Sequence, residues 1–269
     1  MNRKVVLITG GSSGIGNSIG CYLVQKGYVV YGTTRNVHKY PDFKDFNLLQ
    51  MDVRDTESIT SAFKKVIEKE GSVDVVINNA GVGITGAIEE TPTKEILNAF
   101  NTNFNGPINV IKGVLPYMRE QSSGLIINIT SIAGYMGLPY RGIYSATKGA
   151  LSIITETLRM ETKDFGIQIT SLAPGDFATN IAAGRYHSPI LENSPYKKPY
   201  SKTLKAINAD VGSGENPILV AKAVLKIINT PKPKVHYKVG SFLQKFSIKL
   251  KKILPSKVYE KILLRHSKL

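Results

Sequence analysis

Short β-branched runs alternate with longer helix-like stretches along most of this chain, and that rhythm limits its fold more than any other feature. The runs lie at residues 5–9, 28–33, 47–51, 73–78, 125–130, 167–172 and 235–239. They are nearly all apolar, as strands covered on both faces must be. Between them, residues 14–26, 56–70, 93–120, 142–164 and 217–229 read as helices, the last with Asn216 and Pro217 as a start signal. Consecutive parallel strands need a crossover, and a helix is the usual one. The expected fold is therefore α/β: a doubly wound, seven-stranded parallel sheet with helices on both faces.

The first crossover carries a glycine-rich turn, Thr9-Gly10-Gly11-Ser12-Ser13-Gly14-Ile15-Gly16, placed between strand one and helix one. Glycines there let the backbone fold tightly and bring free N–H groups to a pyrophosphate at the helix N-terminus. The same residues also fit a Gly-x-Ser-x-Gly nucleophile elbow, with Ser12 as nucleophile. That reading needs a later acid and histidine. Of the four histidines, His38 follows with no acid between, His187 falls in a long loop, and His236 and His266 fall at the basic end. The context favours the dinucleotide turn. After strand two, residues 17–41 contain no acid, and the strand ends at Thr34-Arg35-Asn36. An acid there would bind a ribose 2′-hydroxyl, whereas an arginine suits a 2′-phosphate. Arg35 therefore points to NADP(H).

Tyr144 and Lys148 are four residues apart in a helical stretch, and Ser131 precedes the tyrosine by thirteen. The spacing of four puts phenol and ammonium on one helix face. A neighbouring cation lowers a phenol's pKa, so such a tyrosine can exchange a proton with an alcohol or carbonyl near neutral pH.

With these residues in view, the chain resembles the classical short-chain dehydrogenase/reductase family over about residues 3–240. The resemblance rests on an ordered set: the turn Thr9-Gly10…Gly14-x-Gly16, Asp52-Val53, Asn78-Asn79-Ala80-Gly81, Asn103, Ser131, Tyr144 with Lys148, and Pro174-Gly175 with Thr179. It implies a catalytic tetrad of Asn103, Ser131, Tyr144 and Lys148. It implies that Gly10, Ser12, Ser13, Gly14, Ile15, Gly16, Arg35, Asp52, Val53, Asn79, Ala80, Gly81, Pro174, Gly175 and Thr179 hold the cofactor with Tyr144 and Lys148. Asp52 would reach the adenine amino group, and Asn103 would hold a water linking Lys148 to solvent. The implied reaction interconverts a ketone and a secondary alcohol, with no metal. The family also implies a homodimer or tetramer. Tyr237-Lys-Val-Gly240 and the basic end are most similar to its 17β-hydroxysteroid-dehydrogenase-like branch. The rival class is a non-catalytic dinucleotide sensor or scaffold acting through its basic tail.

Two stretches fall outside the alternation. Residues 180–216 hold prolines, glycines and tyrosines and read as an irregular lid. Its Tyr186, Tyr196, Tyr200, Ile181, Ile190, Leu191 and Leu204 suit a lipophilic, steroid-like or long-chain carbonyl or alcohol. Residues 231–269 hold eleven basic residues against Glu260 alone, and so +10 of the +15 net charge. Within them, residues 241–269 form an amphipathic tail. Phe242, Leu243, Phe246, Leu250, Ile253 and Leu254 are spaced along one face, with Ile248 opposite. Pro255-Ser256 breaks the helix, and a second carries Val258, Tyr259, Ile262 and Leu263. The tail has three readings: a helix pair packed on the domain or a partner subunit, an interfacial helix on an anionic membrane, or a surface for other acidic partners. Charge alone admits nucleic acid, but no nucleic-acid motif accompanies it. No apolar run is long enough to span a bilayer, and a single cysteine, Cys21, excludes an internal disulfide, so a cytoplasmic protein is expected.

Overall fold

The computed structural model describes residues 3–178, 184–212 and 214–269, without the side chains of 210–212. Seven strands form one parallel sheet: β1 (Val5–Ile8), β2 (Val29–Thr34), β3 (Asn47–Gln50), β4 (Val75–Asn78), β6 (Gly124–Ile129), β7 (Ile167–Pro174) and β9 (His236–Val239). Their order is β3-β2-β1-β4-β6-β7-β9. The chain winds outward from β1 in one direction and from β4 in the other, as in a doubly wound sheet. Each expected strand is present, with ends shifted by one or two residues. A small parallel pair, β5 (Ile84–Thr85) with β8 (Tyr186–His187), stands apart from the main sheet.

Side chains alternate across the sheet with period two, and each face has its own core. Val5, Leu7, Val76 and Ile126 pack with Ile59, Phe63 and Val66 of helix α2 (Thr56–Glu70) and with Ile111, Val114 and Met118 of helix α4 (Gly106–Glu120). On the other face, Val6, Ile8, Ile77 and Ile127 pack with Ile19 and Leu23 of helix α1 (Gly14–Gln25) and Val220, Val224 and Ile227 of helix α7 (Ile218–Ile228). Between β6 and β4, the Asn78 amide donates to Asn128 Oδ1, and Asn128 Nδ2 donates to Thr155 Oγ1 of helix α5 (Gly142–Glu161), each at 2.9 Å.

Three expectations change. The stretch 93–120 is not one uniform helix: helix α3 (Thr93–Phe100) passes through a π-helical turn at Asn101–Asn105 before α4 begins. Such turns widen the backbone locally and often accompany functional sites. The stretch read as an irregular lid contains helix α6 (Lys197–Gly212). Its Pro199 sits in the first turn, where a missing N–H costs nothing, so it starts the helix rather than breaking it. Third, the tail forms the expected two helices, α8 (Phe242–Ile253) and α9 (Ser256–His266), but α8 packs on the domain through Ile248, placed opposite the apolar stripe, and through only the Leu250–Leu254 end of that stripe. Ile248, 2% exposed, is its buried residue, while Phe242, Leu243 and Ile253 are 74%, 76% and 78% exposed.

A third core explains the orientation. Ile248 and Tyr259 pack on Ile132, Met136 and Ala173, with Leu250, Leu254 and Leu263 at the margin. A capping box fixes the start of α8: Ser241 Oγ accepts from Gln244 N, and Gln244 Oε1 accepts from Ser241 N. Gln244 Nε2 donates to Asp176 Oδ2 at 2.7 Å and Lys251 Nζ to the Tyr135 carbonyl at 2.6 Å. These polar ties choose which side of α8 faces inward, against the longer apolar stripe. Ile248→Ala is therefore expected to destabilise the protein by about 2–5 kcal/mol. Phe242→Ala should change stability by no more than about 0.5 kcal/mol. Chemical denaturation of the two variants checks the assignment, which fails if their effects are reversed.

Candidate active site

The C-terminal ends of the parallel strands open into one cavity of about 380 Å³. In such sheets this edge is where ligands sit. The glycine turn forms one wall. Gly10 and Gly14 have φ of 64° and 57°, a region that side chains other than glycine's rarely adopt. A Cβ on Gly16 would lie 2.3 Å from the Gly10 carbonyl oxygen and 2.6 Å from Asn79 Nδ2. Thr9 ties the turn to β4, because its Oγ1 accepts from the N–H groups of both Asn79 and Ala80 at 2.9 Å. Asn79 Nδ2 returns the contact to the Thr9 carbonyl at 2.9 Å. Ser13 precedes α1 without making a side-chain cap, so its hydroxyl does not occupy the helix's first N–H groups. Gly10, Ser12, Ser13, Gly14 and Ile15 line the cavity, whereas Gly16 lies outside the lining, against Gly10 and Asn79.

Arg35, Asp52 and Val53 line the far end, joined by Arg54, which the sequence reading missed. The Arg54 guanidinium grips the Asp52 carboxylate, with Nη2 2.7 Å from Oδ2 and Nε 3.1 Å from Oδ1. That hydrogen bond holds the Asp52 carboxyl below its usual range, with Arg35 adding a smaller pull. Arg54 is thus neutralised, whereas Arg35 has no carboxylate within ion-pair distance among the described residues. Asn79, Ala80, Gly81, Pro174 and Gly175 line the middle. Thr179 lies outside the described residues.

Ser131, Tyr144 and Lys148 meet on one wall. Helix α5 presents Tyr144 and Lys148 on one face, as the spacing requires. Lys148 Nζ is buried and donates to the Ile129 carbonyl at 2.9 Å. Burial lowers its pKa from the usual 10.5 to about 8. Ser131 follows β6 by two residues and caps the short turn Ile132–Tyr135, its Oγ accepting from Ala133 N at 3.1 Å. With the oxygen so engaged, its O–H is available to donate into the cavity. Contrary to the lowering expected from Lys148, burial raises the Tyr144 phenol above its ordinary value. Against burial act, in order, the Arg141 guanidinium, the Ser131 hydrogen bond and Arg185. Arg141 lies 5.8 Å from the centre of the Tyr144 ring. The sequence reading named neither arginine, though Arg141 precedes Tyr144 by three residues and so reaches the same helix face.

Asn103 is buried in the π-helical turn, outside the cavity lining. Its Nδ2 donates to the Val82 carbonyl at 2.9 Å and to Thr147 Oγ1 at 3.2 Å, and its Oδ1 accepts from Val82 N at 2.8 Å. A Cβ on Gly81 would lie 3.1 Å from Asn103 Oδ1 and 3.4 Å from Lys148 Nζ, so the three groups converge. The aromatic lid residues do not line the cavity. Tyr200 is buried, its ring tilted against Tyr140 at 5.1 Å between centroids and its hydroxyl bonded to Thr85, while Ile190 and Leu191 face solvent. Ile181 lies outside the described residues. The cavity's apolar lining includes Val82, Ile84 and Phe177, and its polar lining near Tyr144 includes Arg141, Asp176 and Arg185.

Among the described residues, the hydrolase reading finds no histidine bonded to Ser12. His187 Nδ1 is bonded to Thr85 Oγ1 at 2.8 Å. His236 joins Ser171 Oγ at 2.7 Å to Glu156 at 2.9 Å, a Ser-His-Glu chain in outline. Yet Ser171 is fully buried between β6 and β9 and outside the cavity, so this chain pins the edge strand and has no access to a substrate.

If Lys148 must carry its proton for ketone reduction, kcat/KM in that direction should be level at low pH and fall as pH rises through about 8. Tyr144, held above its ordinary value, stays protonated across this range. The lysine's lowered pKa also opposes folding below about pH 8, where ammonium must be buried. That penalty fades as pH rises from about 8 towards 10.5. A pH–rate profile that rises through the same window would contradict the assignment.

A model of the family described as short chain dehydrogenase matches residues 4–189. The chain is 38% identical over 261 residues to a 3-ketodihydrosphingosine reductase of Bacteroides thetaiotaomicron, covering 97% of this chain and 96% of that one. A crystal structure of a short-chain dehydrogenase from Streptomyces avermitilis superposes with a TM-score of 0.80 at 33% identity, covering 97% of each chain. A structure of ElxO with NADP bound gives 0.71 at 28% identity, covering 88% of this chain and 97% of that one.

Proposed function

The chain belongs to the short-chain dehydrogenase family, and we propose that it is an NADP(H)-dependent oxidoreductase interconverting a ketone and a secondary alcohol on a long-chain amphiphile. The observation that carries this reading is the convergence of Ser131, Tyr144 and Lys148 on the cavity that begins at the glycine turn. Gly10, Ser12, Ser13, Gly14 and Ile15 would hold the pyrophosphate, and Asn79, Ala80, Gly81, Pro174 and Gly175 the nicotinamide half. Arg35, unpaired beside a neutralised Asp52–Arg54 couple, favours a 2′-phosphate.

The dinucleotide, when bound, supplies or accepts the hydride. The chain supplies the proton and the electrostatics. In the reducing direction, Ser131 donates a hydrogen bond to the carbonyl oxygen, where negative charge grows in the transition state. Tyr144 gives that oxygen its proton. Lys148, with Arg141 and Arg185, stabilises the phenolate that remains. Asn103 is a positioning residue: it fixes Val82 and Thr147, and through them the approach of the β4 end to α5.

The lining beside Tyr144 is polar, with two guanidiniums and the Asp176 carboxylate, while Val82, Ile84 and Phe177 are apolar. That division suits a substrate whose polar head lies next to the carbonyl and whose chain continues away from it. The relative named for reducing 3-ketodihydrosphingosine supports this class. A homodimer or tetramer accompanies the reading, because Leu97, Ile153 and Met160 on α3 and α5 expose apolar surface suited to a second copy.

Tyr144→Phe is expected to fold with an unchanged melting temperature and to lose about 10²–10⁴-fold in turnover of NADPH with long-chain ketones. Turnover within tenfold of wild type defeats the mechanism. A dinucleotide sensor would bind NADPH but show no ketone-dependent, Tyr144-dependent oxidation. Arg35→Ala should raise KM for NADPH about 10- to 100-fold and leave NADH little changed. An equal effect on both cofactors would remove the argument for a 2′-phosphate.

A further inference from the structure

We propose that the tail helices dock this protein on an anionic lipid surface, with the outward stripe of α8 entering the lipid at the rim of the catalytic cavity. The proposal rests on the lipophilic-substrate reading but concerns a surface separate from the reacting groups.

Two properties of the tail are in tension unless something covers it. Helix α8 is packed, capped and tied to the domain through Ile248, Gln244 and Lys251, so its outer face is held out in a fixed orientation. That face carries Phe242, Phe246 and Ile253, one residue every turn or two, with Leu243 beside them. The Phe242 and Phe246 rings stack at 5.7 Å, giving a continuous apolar ridge. Helix α9 adds exposed Val258 and Ile262. Contiguous exposed apolar surface of this kind marks an interaction site.

Charge selects the occupant. Residues 241–269 carry eight basic residues and one acid. Among the described residues, none of the tail lysines or Arg265 has a carboxylate partner. Their field is felt nearby: Lys238, on the strand before α8, has its pKa lowered first by burial and then by Lys252 and Lys249. A second copy docked symmetrically would bring one such field against its equal. Nucleic acid would satisfy the lysines but leave the Phe242–Ile253 ridge in water. An anionic bilayer satisfies both, because lysines pair with headgroups while the ridge enters the acyl boundary. Neither helix is long and apolar enough to cross the membrane, so the contact lies along the surface.

Placement adds a functional reason. Gln244, next to Leu243, donates to Asp176, and Asp176 lines the cavity. The ridge therefore begins within a residue or two of the substrate's entry. A lipid-dissolved ketone would reach Tyr144 without passing through bulk water.

The test is flotation of the full-length protein with vesicles of phosphatidylcholine alone or with about 30% phosphatidylglycerol. Wild type should float with the anionic vesicles, and raising salt from about 50 to about 500 mM should weaken this at least several-fold. Phe242→Gln, Leu243→Gln and Ile253→Gln together should cut binding about tenfold or more, with circular dichroism, melting temperature and turnover of a short soluble ketone unchanged. The proposal is overturned if wild type does not float with anionic vesicles, or if the triple variant floats equally. It is also overturned if neither floats and light scattering shows the variant dissociating a wild-type dimer, or if only duplex DNA binds. A protein that floats but reduces no ketone would keep the docking surface and lose the proposed activity. One that reduces long-chain ketones without floating would do the reverse.

Discussion

Two backbone amides, those of Asn79 and Ala80, donate to the hydroxyl of Thr9, and most of the site takes its geometry from that junction. Parallel strands offer unpaired backbone groups at their ends, and here β1 and β4 end side by side. A hydroxyl on β1 satisfies two amides of the β4 end at once. Asn79 then reaches back to the carbonyls of Thr9 and Gly10, which holds the glycine turn in its tight form. A Cβ at Gly16 would strike both partners of this arrangement. The turn that would cradle a pyrophosphate and the segment that would face the nicotinamide are thus one hydrogen-bonded body.

The next junction carries the charge. Lys148 is buried, and an ammonium removed from water requires compensation. The Ile129 carbonyl supplies one acceptor. Gly81 leaves room for Nζ beside Asn103 Oδ1, and Asn103 is locked in turn by Val82 and Thr147. Desolvation still dominates, which is why the lysine titrates near 8 rather than 10.5. The phenolate form of Tyr144 owes its largest support to Arg141, then to the Ser131 hydrogen bond and to Arg185. The positive environment of the tyrosine therefore comes from two cations on two segments, Arg141 and Arg185. One of them, Arg185, belongs to the segment beside the small β5–β8 pair.

How much of this was legible beforehand follows from how local each feature is. The seven strands and their parallel order could be read because two buried faces force apolar runs, whatever the neighbours. The tyrosine–lysine pair could be read because a helix converts spacing into a shared face. Arg141 could have been found by the same rule at a spacing of three. Arg54 and Arg185 could not, since their positions depend on loops brought together by the sheet. The pairing of Arg54 with Asp52 also gives that carboxylate a partner that no resemblance supplied. Helix α6 was hidden by a proline whose effect depends on whether it falls in the first turn or later. The lid aromatics misled because composition does not tell a buried tyrosine such as Tyr200 from one that lines a cavity.

The tail shows the same limit in its sharpest form. Read as a helical wheel, α8 has an apolar stripe of which the protein turns Phe242, Leu243, Phe246 and Ile253 outward, while Leu250 and Leu254 reach the margin of the core. Amphipathicity ranks faces by hydrophobic area, but a helix end fixed by hydrogen bonds is not free to choose by area. Ser241 and Gln244 set the first turn, Asp176 sets its rotation, and the Tyr135 carbonyl holds Lys251 two turns later. Rotating α8 to bury Phe242 and Ile253 would break these contacts and pull Ile248 from its core with Tyr259, Ile132 and Met136. That core lies directly under the segment that begins at Ser131. The helix is thus fastened to the same segment that presents the serine to the cavity, and its orientation is a property of the site as much as of the tail.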